Sequence, residues 1–259
     1  MTASNPPTPA TPPSGGHIAR LGPSSLNPNR LGRTRIKICG LTREQDVDAA
    51  VEAGADALGF VMYEKSPRYV TPQRAAELAR RLPPFVTPVL LFVNADPSKI
   101  IATCNHLTLG IIQFHGDESP DECEAVARAC KRPWLRAARI PLNDVGGFDL
   151  IKLAADNSLA QAILLDAHVE GFGGGGKAFN WSLLPPSVNA HLVLSGGLTP
   201  ANVTEGILQV RPRGLSLAVD VSSGVEALGP DGKFLKGIKD PEKIDQFVAA
   251  VRAADRHLA

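Results

Sequence analysis

The stretch LVLSGGLTPANV, residues 192–203, decides the fold. Leu192, Val193 and Leu194 read as the end of a buried strand. Ser195, Gly196 and Gly197 turn the chain. Thr199-Pro200 then reads as a helix entry, a capping hydroxyl before a proline at the first helical position. A second stretch, LAVDVSSGVE at 217–226, leaves a strand in the same manner through Ser222, Ser223 and Gly224. A doubly wound open sheet carries its glycine-rich turn after the first strand. A (β/α)8 barrel often builds a phosphate site from the loops after strands seven and eight. The choice therefore rests on how many strands precede these two turns.

Six do. RIKIC at 35–39, ALGFVMY at 57–63, TPVLLFVN at 87–94, GIIQFHG at 110–116, WLRAARI at 134–140 and AILLDAH at 162–168 are apolar runs of strand length. Helical or loop segments alternate with them. REQDVDAAVEAGA puts Val47, Ala50 and Val51 on one stripe, and Thr42 with Gln45 reads as its capped start. TPQRAAELARRL, DPSKIIATC, SPDECEAVARAC and DPEKIDQFVAAVRAAD each place Thr, Asp or Ser before Pro, as does the segment from Thr199. Eight strands in this alternation imply a parallel sheet with right-handed crossovers, closed as a single (β/α)8 TIM barrel over 34–259.

The first 30 residues carry seven prolines and almost no apolar side chain beyond alanine. Such a segment cannot bury enough surface to offset its ordering entropy, so 1–33 is expected to be a disordered Pro-rich tail. It lacks the apolar stretch of a secretory signal, and its prolines oppose the amphipathic helix of a transit peptide. The chain balances 27 Lys and Arg against 26 Asp and Glu. No basic block points to nucleic acid, and no apolar run is long enough to span a membrane. Cys39, Cys104, Cys123 and Cys130 form no CxxC pair, which argues against a zinc site or a disulfide framework and fits a reducing cytoplasm.

Polar residues at the strand ends carry the chemistry. In RIKICGLT, residues 35–42, Ile36 and Ile38 alternate with Lys37 and Cys39, and Gly40 permits a sharp exit. Cys39 is either a small buried filler or a proton acceptor at a loop mouth. Asp166 interrupts the sixth run and is either a loop cap or an acid. With strands one and six across the barrel mouth, the thiol and the carboxyl could flank a ligand. Asn94, His115, Ser195 and Asp220 also stand at strand ends. Arg68, in KSPRYV, is either a surface cation or a fork for a carboxylate. Gly173 to Gly176 could close over a ligand or be a slack loop.

The stretches IKICGLT, AGADALGFVMYEKSPRYV, QFHGDE, LLDA, GGGGKAFNW, LVLSGGLTPANV and AVDVSSGVE, in this order, resemble the phosphoribosylanthranilate isomerase family of tryptophan biosynthesis. The resemblance implies an Amadori rearrangement, with Asp166 as general acid on the ribose ring oxygen and Cys39 as the thiolate base at C2. It assigns Arg68 to the anthranilate carboxylate and Asp220 to the substrate hydroxyls or amine, with His115 among the substrate-binding residues. Ser195, Gly196, Gly197, Ser222, Ser223 and Gly224 would surround the phosphate. No cofactor or metal is implied, since the iminium is itself the electron sink. A cytoplasmic monomer or homodimer acting on a small phosphorylated molecule is expected. Gly175, Ala178 and Asn180 depart from the family's usual Ser or Thr, Thr and Asp, all in the loop after strand six. An aminoimidazole-carboxamide ribotide isomerase would be expected to carry an Asp base where Cys39 stands. A silent sugar-phosphate-binding barrel would be free to lose both Cys39 and Asp166. A free thiol is only slightly ionised at neutral pH, so Lys37, on the face of Cys39, is expected either to favour the thiolate or to pair with a carboxylate inside the barrel.

Overall fold

Alternation in the first run sets the layering. Ile36 and Ile38 are fully buried on one face, and Lys37 and Cys39 are buried on the other. Only a sheet covered on both sides buries both sets. The computed structural model describes residues 32–142, 148–167 and 178–258. Within them β1 (Arg35–Cys39), β2 (Ala57–Val61), β3 (Thr87–Phe92), β4 (Ile111–Phe114), β5 (Trp134–Ile140), β6 (Ala162–Ala167), β7 (His191–Leu194) and β8 (Ser216–Val221) form a closed parallel barrel in chain order. At the seam β1 lies level with β8, Ile36 against Val219 and Lys37 against Asp220.

Seven α-helices occur among the described residues: α1 (Glu44–Glu52), α2 (Pro72–Ala79), α3 (Pro97–Cys104), α4 (Pro120–Cys130), α5 (Leu150–Asp156), α6 (Val203–Val210) and α7 (Pro241–His257). Thr71, Asp96, Ser119 and Asp240 cap α2, α3, α4 and α7 through their side chains, each before a proline, as the sequence pattern requires. Between β6 and β7 the described chain makes a single 3-10 turn, Trp181–Leu183, started by the Asn180 side chain.

The main core lies between barrel and helices, where Ile36, Ile38, Leu58 and Phe60 join Val47, Ile207, Phe247 and Val251. A smaller cluster of Val89, Leu135, Ala137, Ala162, Leu164 and Val193 fills the barrel itself. Cys39, Val61, Leu91 and Val93 form a further cluster toward the strands' C-terminal ends.

Three features differ from the sequence reading. Thr42 does not cap α1: its hydroxyl donates to the Gly237 carbonyl (2.7 Å), and Arg43 takes the cap position without a side-chain bond. Thr199-Pro200 does not begin α6, which starts at Val203, because Asn202 folds back to accept the Thr199 N–H (2.8 Å) and donate to the Gly197 carbonyl (2.9 Å). The segment after β8 also holds an antiparallel hairpin, β9 (Glu226–Leu228) with β10 (Phe234–Lys239). The tail through Leu31 and the glycine run at 173–176 lie outside the described residues. Gly32 and Arg33, assigned to the tail by sequence, are described, and Arg33 Nη1 donates to Asp56 (2.8 Å).

The barrel closes at its N-terminal end on one carboxylate. Asp255 of α7 accepts the Thr34 N–H (2.9 Å), the Thr34 hydroxyl (2.6 Å) and the buried Arg211 guanidinium, which also reaches the Gly32 carbonyl (2.8 Å). Asp255→Ala leaves the Arg211 charge unpaired. It is expected to cost about 3 kcal/mol and to lower the melting temperature by about 6–12 °C in a domain of this size. A thermal melt that shifts by less than about 2 °C would remove this carboxylate from the closure.

Candidate active site

Cys39 is the last residue of β1, and its side chain turns into the barrel. Gly59 on the neighbouring strand makes room for it, since a Cβ there would stand 2.6 Å from the sulfur. Gly40 follows with φ +77°, a left-handed conformation suited to glycine. A Cβ at Gly40 would also meet Arg68 Cδ at 2.6 Å. Lys37, two residues back on the same face, donates to Asp220 Oδ1 (2.7 Å), and both side chains are buried. The second oxygen of Asp220 accepts the Ser195 hydroxyl (3.1 Å). Burial pulls the Lys37 ammonium down, but Asp220 and then Cys39 outweigh it, so Lys37 stays protonated well above the ordinary lysine range. Burial pushes the Cys39 thiol up, and the Lys37 charge pulls it back without cancelling the rise. Both sequence readings of Lys37 therefore hold together: it pairs with a carboxylate and it favours the thiolate.

Asp166 stands near the end of β6, three places around the ring from β1. Its Oδ1 accepts the Ala167 N–H (2.9 Å), and its Oδ2 lies 2.9 Å from His115 Nε2. Gln113 Nε2 is 2.9 Å from His115 Nδ1, which makes a buried chain of three side chains. Two proton arrangements satisfy this chain. With the Gln113 amide donating to Nδ1, Nε2–H donates to the Asp166 carboxylate, and Gln113 Oε1 has no partner among the described residues. With the amide reversed, Nδ1–H donates to Oε1, and Nε2 accepts a proton held by Asp166. The second arrangement is the one a general acid requires.

The two glycine turns meet. Gly196 and Gly197 have φ of +76° and +66°. A Cβ on Gly196 would collide with the Ala167 nitrogen at 2.5 Å and with Asp166 Oδ1 at 2.8 Å, so this turn presses on the acid. A Cβ on Gly224 would stand 1.9 Å from the Leu198 carbonyl oxygen, so the β8 turn presses on the β7 turn. Lys239 Nζ from β10 donates to the Ser222 carbonyl (2.9 Å). Ser223 opens the short 3-10 turn Ser223–Val225. Arg68 is buried beside them, with Nε and Nη2 donating to Glu226 Oε1 (2.7 Å) and Oε2 (2.8 Å).

Cys39, Lys37, Asp220 and Ser195 thus form one hydrogen-bonded or charge-coupled group, and Asp166 with His115 forms another. Ser195 spends its hydroxyl on Asp220, and His115 is bonded to the acid. Asn94, at φ +46°, is taken up by its own loop: its N–H donates to Glu118 (2.7 Å) and its side chain accepts from Asp117 N–H (2.6 Å). Sequence reasoning missed Gln113, Glu226 and Lys239. Gln113 sits two residues before His115, so the strand period already put both on one face. The hairpin carrying Glu226 and Lys239 was signalled by Gly229-Pro230-Asp231-Gly232 between two strand-like runs.

Residues 36–250 match the family model described as N-(5'phosphoribosyl)anthranilate (PRA) isomerase. A curated N-(5'-phosphoribosyl)anthranilate isomerase of Methylibium petroleiphilum is 60% identical over 227 residues, covering 88% of this chain and 98% of that protein. The one from Leptothrix cholodnii is 58% identical over 223 residues, covering 86% and 93%. The crystal structure of the Thermotoga maritima isomerase superposes with a TM-score of 0.71 at 38% identity, covering 85% of this chain and 99% of that one. A further isomerase structure, 35% identical with a TM-score of 0.66 and the same coverage, was solved with reduced 1-(o-carboxyphenylamino)-1-deoxyribulose 5-phosphate. Matched over most of its length in sequence and in fold, the chain belongs to the N-(5'-phosphoribosyl)anthranilate isomerase family.

Proposed function

We propose that Asp166 and Cys39 move the protons of the Amadori rearrangement that this family performs. The chain is an isomerase of tryptophan biosynthesis, converting N-(5-phosphoribosyl)anthranilate to 1-(2-carboxyphenylamino)-1-deoxyribulose 5-phosphate. Asp166 donates its proton to the ribose ring oxygen, the C1–O bond breaks, and the anthranilate nitrogen supplies the electrons of the resulting iminium. The Cys39 thiolate removes the C2 proton, and its electrons flow into the iminium to give an enolamine, which tautomerises to the ketone. The observation that carries this reading is the pairing of environments at the barrel's C-terminal face. A buried thiol faces an ammonium across the barrel mouth from a carboxyl that hydrogen-bonds a histidine.

The substrate has an anion at each end, and the reading gives each a receptor. Arg68 takes the carboxylate, and the backbone of the turns at Ser195–Gly197 and Ser222–Gly224 takes the phosphate. Asp220, which already orients Lys37 and Ser195, meets the substrate's hydroxyls or amine. His115 acts through Asp166. Among the described residues no helix is long and apolar enough to cross a membrane. Charge near balance argues against a nucleic-acid partner, and the cysteines, none in a CxxC pair, fit a cytoplasmic protein, which we take to be a monomer or homodimer.

Steady-state kinetics on purified variants test the pair. Cys39→Ala and Asp166→Asn should each lower kcat by at least about 100-fold with little change in KM, because the anion contacts persist. Near-normal kcat in Cys39→Ala would make the thiol a filler. The phosphate assignment is tested by charge. Ser223→Asp sets a carboxylate against the bound phosphate and should raise KM by about tenfold or more. An unchanged KM would take the β8 turn out of the site.

A further inference from the structure

Glu226 of β9 is fully buried and takes donors from two segments of chain, the loop after β2 and β10. It accepts Nε and Nη2 of Arg68, the Gly237 N–H (2.8 Å) and Lys239 Nζ (3.3 Å). Burial opposes its charge, yet Arg68 and Lys239 hold its carboxyl below the usual range. A guanidinium offers two edges to planar acceptors. Glu226 fills the Nε/Nη2 edge, and Nη1 makes no hydrogen bond among the described residues. Arg68 itself comes from the loop after β2, where its stem lies over Gly40 and its N–H donates to Ser66 Oγ (3.1 Å).

We propose that Glu226 is the positioning residue for carboxylate recognition: it fixes the inner edge of Arg68 so that the outer, Nη1-bearing edge meets the aryl carboxylate of the substrate. This rests on the assignment of Arg68 to that carboxylate. An arginine side chain loses substantial rotamer freedom when it is ordered, and here Glu226 imposes that order before the ligand arrives. Beside this pair Lys239 adds a second basic group, its ammonium drawn down by burial and only partly restored by Glu226. Lys239 is itself held in place by the Ser222 carbonyl, to which it donates at 2.9 Å.

Two ligands of equal shape isolate this role from folding and from catalysis. One is reduced 1-(o-carboxyphenylamino)-1-deoxyribulose 5-phosphate, and the other is its counterpart with hydrogen in place of the carboxyl group. Calorimetry on the full chain gives Kd for both, and their ratio is the preference for the carboxylate. Glu226→Gln should weaken the carboxylated ligand by about tenfold or more and leave the other within about twofold, so that the preference collapses. Glu226→Asp keeps the charge but shortens its reach to the Arg68 guanidinium, and should reduce the preference in the same direction if Glu226→Gln does not fold. Equal weakening of both ligands, or an unchanged ratio, would overturn the proposal. Arg68→Lys separates the two levels. If it keeps the full preference, Arg68 is not the receptor and the inference fails with it. If it loses the preference while Glu226→Gln keeps it, the receptor stands and Glu226 does not position it.

Discussion

The ion pair between Lys37 and Asp220 is the constraint on which the site depends. The register of β1 against β8 sets these residues level, and both face the inside of a closed barrel. An unpaired charge there would cost several kcal/mol, so each requires the other. Three consequences follow. Lys37 is pinned on the face that carries Cys39. Asp220 is left with one oxygen free to accept Ser195 from the end of β7. The seam of the barrel, where the last strand meets the first, becomes the floor under the thiol.

The same physical device recurs among the described residues, and two further instances stand out. Arg68, Glu226 and Lys239 form a second buried charged group, tied to the turn after β8 through Ser222. Asp255 with Arg211 and Thr34 forms a third at the opposite end of the strands. Only the third is far from the chemistry, and its role is closure. In the first two, ionic partners that would be poor choices for stability alone hold functional groups in place. Apolar packing gives these groups their walls, as Cys39 shows by sharing a cluster with Val61, Leu91 and Val93.

Much of this was legible in the residues. Eight apolar runs alternating with proline-started helices identify the barrel, and the Thr71, Asp96, Ser119 and Asp240 caps fall where the pattern puts them. Cys39, Asp166, Asp220 and the glycine turns stand out because polar groups and glycines interrupt strands that must otherwise be apolar. What the sequence hides is pairing. RIKIC places Lys37 where it could pair with a carboxylate inside the barrel, but nothing local says that the partner is Asp220, 183 residues on. Nothing in KSPRYV says that Arg68 meets Glu226, because that contact needs the hairpin after β8. Thr42 and Thr199 misled for a related reason. Each is a good capping residue locally, but the Thr42 hydroxyl is claimed by the distant Gly237 carbonyl, and at Thr199 the nearby Asn202 side chain folds back onto the backbone N–H in a local turn that the Thr-Pro pattern did not indicate.

The most direct measurement is the ionisation of Cys39 itself, followed by the ultraviolet absorbance of its thiolate in the wild-type chain and in Lys37→Met, with Cys39→Ala as the blank. Burial sets the thiol above its ordinary range, and the facing ammonium holds it down. Without that ammonium the titration should move to higher pH, and the ascending limb of kcat against pH should move with it, because the rate climbs as the thiol loses its proton. A Cys39 titration and a kcat limb that both stay in place in Lys37→Met would contradict a thiolate base sustained by the Lys37–Asp220 pair.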